Sequence, residues 1–144
     1  MSDETFRSVN LSQMGEMRFK ATNRRGGVLP IGSGDDPDFT PVELLLAAIA
    51  GCTAIDVAHV AGKRAEATSF DLQCHGDKIR DELGNRMTNL TVTVDISFPD
   101  GDGGDAARAV LPRTLEQVRD RLCTVARTVA VESPVTIEQG SVRA

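Results

Sequence analysis

From Thr40 to Val57 the chain carries almost nothing but apolar side chains, in the stretch TPVELLLAAIAGCTAIDV. Thr40 and Glu43 stand in the S/T-x-x-E arrangement of a capping box, and Pro41 falls at the first helical position, where its missing N–H costs nothing. Between Leu44 and Ala54 only Gly51, Cys52 and Thr53 depart from plain apolarity. The pattern predicts a helix from about Pro41 to Arg64 that is apolar all round and therefore buried. Interrupted at Asp56, the run reads as too short to span a membrane. Cys52, at its centre, is expected to be buried or nearly so.

Around this helix the pattern changes period. Residues 15–22 (GEMRFKAT) set Met17, Phe19 and Ala21 against polar neighbours, which predicts a strand. Arg24-Arg25-Gly26-Gly27 follows as a turn, and Val28 to Ile31 returns as a short strand. The polar loop GSGDDPDF, 32–39, leads to the helix. Ser69–His75 and Met87–Phe98 form a second strand pair. In the latter Leu90, Val92, Val94, Ile96 and Phe98 alternate with polar residues, so one face is in the core and the other in water. The loop DGDGGD, 100–105, lacks the twelve-residue spacing and final Glu of an EF-hand and reads as a solvated turn opening a helix. Ala106–Leu122 is amphipathic, with Val110, Leu115, Val118 and Leu122 inward, and Pro112 is expected to kink it or start it afresh. A short apolar helix runs from about Thr124 to Val131, Ser133-Pro134 breaks it, and Val135–Glu138 reads as a last strand. The fold class is α+β, in one domain over residues 1–144.

Composition narrows the functions open to such a domain. A net charge of −5 with scattered basic residues argues against nucleic acid and anionic membrane surfaces as partners. Five Phe, with no Trp or Tyr, leave little for stacking platforms. The opening MSDETFRSVN lacks the basic-then-apolar pattern of a signal peptide, so a cytoplasmic setting is expected. Cys52, Cys74 and Cys123 are too far apart for a secretory disulfide framework, and without a close C-x-x-C no structural zinc site is expected. Cys74, mid-strand, reads as a small buried hydrophobe.

Cys123 stands in RLCTVARTV, at the N-terminus of a helix, where free amide N–H groups stabilise a thiolate. Cys52 lies on a different element, so the two thiols meet only if tertiary packing brings them together. The segment PVELLLAAIAGCTAIDV, followed about seventy residues later by CTVARTV, resembles the OsmC/Ohr superfamily of osmotically inducible and organic hydroperoxide resistance proteins, in its divergent OsmC-like branch. That resemblance implies N-terminal strands, a long buried central helix, antiparallel strands, paired C-terminal helices and a last strand. It also implies an intertwined homodimer with active sites at the subunit interface. It further implies a thiol peroxidase in which Cys52 attacks an organic hydroperoxide and becomes a sulfenic acid. Cys123 then closes a disulfide with it, and an external dithiol of lipoyl type restores both thiols. No metal, flavin or haem is required.

A thiol withdrawn from water needs a nearby cation to ionise. The family supplies an arginine from the N-terminal strand-turn region, and here Arg18, Arg24 and Arg25 are available, with Arg25 the candidate. The family's peroxidase branches place a glutamate directly after the helix-start proline, where this chain has Val42. Glu43 comes one residue late and, nine residues before Cys52, points to the opposite side of the helix, where its capping role accounts for it. Asp56 and His59 share a face with Cys52 within an arc of roughly 60°, either as activating groups or as the stripe where the helix leaves the core. The catalytic candidates are thus Cys52, Cys123, Arg25, Glu43 and Asp56. The alternative is a non-catalytic protein on the same scaffold that binds a small hydrophobic ligand or senses redox state.

Overall fold

In the structure, a computed structural model that describes residues 4–144, the chain divides into two compact units, with the boundary between Ala47 and Ala48. Met1 to Asp3, part of the N-terminal stretch read for a leader, lie outside the described residues.

The first unit carries an antiparallel sheet of β1 (Asn10–Gly15), β2 (Arg18–Thr22) and β3 (Val28–Ile31), in that order. The strand expected over 15–22 is therefore the end of one strand, a turn and another strand. Met17 adopts a left-handed backbone (φ 56°) and reverses the chain, a state that alternation of side chains does not encode. At the β2–β3 turn the Asn23 carboxamide oxygen accepts the backbone N–H groups of Arg25 and Gly27, closing an Asx-type turn. The Arg18 guanidinium pairs with both Asp36 and Asp38 in the loop ahead of the helix. The capping box is reciprocal: Thr40 N–H donates to Glu43 Oε1 at 3.0 Å and Glu43 N–H to Thr40 Oγ1 at 3.3 Å.

α1 (Pro41–Ala61) begins in the first unit and ends in the second, three residues short of the expected Arg64. Its buried residues, Ile49, Thr53, Val57 and Ala61, recur every fourth position and make one stripe. Burial all round the helix is not found within the chain, since Ile55 is 71% exposed. At 21 residues it is also, among the described residues, the one helix long and apolar enough to cross a membrane by length and composition. The expectation that it is too short therefore fails on length, although its stripe is spent on protein contacts.

The second unit is built on a long hairpin of β4 (Ser69–Asp81) and β5 (Gly84–Ser97). Phe70, Leu72 and Cys74 stand opposite Ile96, Val94 and Val92 on the less exposed face, as the alternation predicts. A bulge interrupts the register between His75 and Asp77, and Gly76 is required there, because a Cβ would lie 2.9 Å from the Thr88 carbonyl oxygen. α2 (Asp102–Gln117) runs through Pro112 without ending there. Gly104 lets its first turn sit against Pro99, whose carbonyl oxygen a Cβ would overlap. One turn of π-helix, Val118–Leu122, continues α2, and α3 (Thr124–Ala130) follows Cys123. Of the positions expected inward, Val118 is buried and Leu122 is 44% exposed, because the wide turn shifts the face the last residues present.

Val57, Val118 and Cys123 form one core cluster, with Phe70, Ile96, Leu111 and Leu115 packed on it. A second joins Ala61, Phe98 and Ala107. Burying Val57 completely stabilises the fold by about 1.5–3 kcal/mol. The strand expected at Val135–Glu138 does not form. Val135 and Ile137 are 85% and 93% exposed, and a strand needs a ladder partner that the described residues do not offer.

Candidate functional site

Cys52 and Cys123 meet. The apolar stripe of α1 turns Thr53 and Val57 into the core and leaves Cys52 half-buried beside them. The π-helical turn, closed by the Cys123 N–H on the Val118 carbonyl oxygen at 2.9 Å, delivers Cys123 to the same place, fully buried. One Asp56 carboxylate oxygen completes the group: Cys52 Sγ, Asp56 and Cys123 Sγ place their polar atoms within 4.8 Å of one another.

Each sulfur has identifiable partners. The Cys52 S–H donates to Asp56 Oδ2 at 4.0 Å, the neighbour one helical turn on. Cys123 Sγ caps α3 by accepting the Ala126 N–H at 3.4 Å. The Thr53 hydroxyl gives its proton to the Ile49 carbonyl oxygen at 2.9 Å, so it is left to accept the S–H of Cys123 at 4.0 Å. Withdrawal from water pushes the Cys123 thiol above its ordinary value, the Ala126 N–H works against that, and the neighbouring Cys52 adds to it. Within Ala48–Ala144 no ion pair engages Asp56.

Of the candidates read from the sequence, the structure brings together Cys52, Asp56 and Cys123. Arg25 is exposed in the β2–β3 turn and Glu43 is committed to the capping box, both within the first unit. His59 is exposed and does not join the cluster. Cys74 stands apart on β4, its thiol pushed up by burial. Sequence reading missed Thr53 and the Ala126 N–H. The signal for Thr53 was its place in the every-fourth-residue stripe; for Ala126 it was the third position after a capping residue.

A cavity of about 570 Å³ opens beside the cluster within the second unit. Ile49, Val92, Val94, Leu115 and Val129 supply apolar walls, Glu116 and Arg119 supply charge, and Cys123 fronts it where Cys52 does not. This is the size of a small-molecule site.

These features define an α+β protein with a paired-thiol site at the junction of a core helix and a helix N-terminus. The chain belongs to the family described as OsmC-like protein, which matches residues 32–138. Solved structures share the fold at low identity. An OsmC-like protein of unknown function from Vibrio cholerae is 13% identical with a TM-score of 0.72, over 86% of this chain and 93% of that one. An OsmC-like protein from Mycoplasma pneumoniae is 11% identical with a TM-score of 0.71, over 88% and 89%. A hypothetical protein from Aquifex aeolicus is 19% identical with a TM-score of 0.70, over 89% of each chain. No curated protein matches the chain.

Proposed function

We propose that the protein is a cysteine-based peroxidase that reduces organic hydroperoxides in the cytoplasm. The observation that carries this reading is the convergence of two thiols from distant parts of the chain to within 4.8 Å. Membership of the OsmC-like family supports it. Cys52, as thiolate, attacks the terminal oxygen of the hydroperoxide. The O–O bond breaks, the alkoxide leaves and takes up a proton as the alcohol, and Cys52 becomes a sulfenic acid. Cys123 then attacks the Cys52 sulfur, water leaves, and a disulfide forms. Cys52 takes the peroxidatic role because it is the less buried of the two, and Cys123 the resolving role. A dithiol of lipoyl type, in two exchange steps, returns both to thiols. An apolar site favours alkyl or lipid hydroperoxides over the well-hydrated hydrogen peroxide.

Mass spectrometry on fully reduced protein, given one equivalent of cumene hydroperoxide or of hydrogen peroxide, tests the reading. The expected result is loss of two hydrogens, mapped to a Cys52–Cys123 bridge and faster with the organic peroxide. Thiols that stay reduced over minutes would overturn it.

The cavity favours a second reading, a protein that binds a small apolar ligand without turning it over, because it fronts Cys123 and not Cys52. Turnover of hydroperoxide with a dithiol reductant separates the two.

A further inference from the structure

We propose that Cys52, Asp56 and Cys123, in the reduced protein, form a binding site for a thiophilic divalent cation, Zn²⁺ above all. The donor set is two thiolates and a carboxylate, the chemistry that selects zinc from hard cations such as magnesium. In a tetrahedral site with Zn–S near 2.3 Å and Zn–O near 2.0 Å, sulfurs stand about 3.8 Å apart and sulfur and oxygen about 3.5 Å. The Cys52 Sγ to Asp56 Oδ2 distance is already 4.0 Å, and all three atoms lie within 4.8 Å of one another. Rotamer adjustments of about an ångström would close the triangle.

The surroundings suit a cation in two further ways. The Ala126 N–H donates to Cys123 Sγ and fixes its position, as outer donors do for metal-bound groups, and it stays a favourable partner when the thiol becomes a thiolate. Within the second unit nothing neutralises Asp56. Binding is balanced as two thiols losing two protons to solvent while Zn²⁺ gains two thiolates and one carboxylate, with the fourth position left to water. Neither thiol is then free to attack a peroxide or to close the bridge. Metal capture itself stands apart from the peroxidase reading; only this consequence, zinc as a brake on oxidation, rests on that reading.

Cobalt(II) added to reduced protein and then displaced by Zn²⁺ is the test. One equivalent should produce thiolate-to-cobalt charge-transfer absorption with tetrahedral visible bands, and one equivalent of Zn²⁺ should abolish them. Cys52→Ser and Cys123→Ser should each weaken Zn²⁺ by on the order of a hundredfold or more, and Asp56→Asn by on the order of tenfold to a hundredfold. Cys74→Ser should change nothing. Alkylation of the wild-type chain reads the same site without any substitution: Zn²⁺ should slow labelling of Cys52 and Cys123 but not of Cys74. No charge-transfer band, or a band that survives loss of either site cysteine, overturns the proposal, as does labelling that ignores zinc. Peroxide-driven bridging is followed in a separate, metal-free sample. Protein that binds zinc but forms no bridge loses the peroxidase reading alone; protein that forms the bridge but takes up no metal loses the metal site alone.

Discussion

At the scale of single residues, Cys123 does three things at once: it fills a core position, caps α3 and faces Cys52. Burial holds its thiol above the ordinary value, so the unfolded chain gives up this proton at lower pH than the folded one. The stability this contributes is fully present below the ordinary thiol value of about 8.5 and is lost as pH rises through the folded value. Cys74 acts in the same direction. Reduced wild-type protein should therefore lose urea resistance between about pH 7.5 and pH 10, and Cys123→Ser should make that slope shallower while costing about 1 kcal/mol at neutral pH. A variant that keeps the wild-type slope would show that Cys123 does not set it. The Cys52–Asp56 pair was legible from the sequence, since residues four apart on a helix lie on one face. The Cys123–Thr53 contact was not, because it joins elements whose mutual placement no local rule specifies.

At the scale of elements, the π-helical turn decides where Cys123 goes. An α-turn carried to the same point would present the next side chain about 100° away. Deleting Asp120, which makes an exposed ion pair with its neighbour Arg119, should convert the turn to ordinary helix. Helix content should hold, while Cys52–Cys123 bridging slows by on the order of a hundredfold. Bridging at the wild-type rate would mean that the turn does not position the thiol. The hairpin β4–β5 was legible because period-two alternation and half-burial are one fact seen twice. β1 was not, and neither was the failure of Val135–Glu138 to form a strand: pairing depends on what lies alongside.

On the scale of the whole molecule, apolar surface is left over. Ile55 on α1 and Val135 and Ile137 near the C-terminus are largely exposed, although the composition of α1 asks for burial all round. We propose that a second copy of the chain covers that surface, the dimer that the family resemblance implies. Sedimentation should then give about twice 15.4 kDa. Ile55→Asp should weaken association by on the order of a hundredfold or more, since a two-fold axis places the charge in the interface twice. A wild-type chain sedimenting at 15.4 kDa would dispose of the dimer.

What the sequence determined by itself was local and periodic. It set the capped helix over Cys52, the alternating face of β5, the helix start at Cys123 and, through the spacing of two cysteine motifs, the family. These follow from bonds and side-chain periods within a few residues of one another. Only the tertiary structure decided that Cys52, Asp56 and Cys123 form one cluster. It also kept one stripe of α1 rather than its whole circumference inside the chain. Those outcomes depend on how helices and a sheet pack, where one turn of π-helix or one unpaired strand moves a side chain by several ångströms, and no pattern along the chain carries that information.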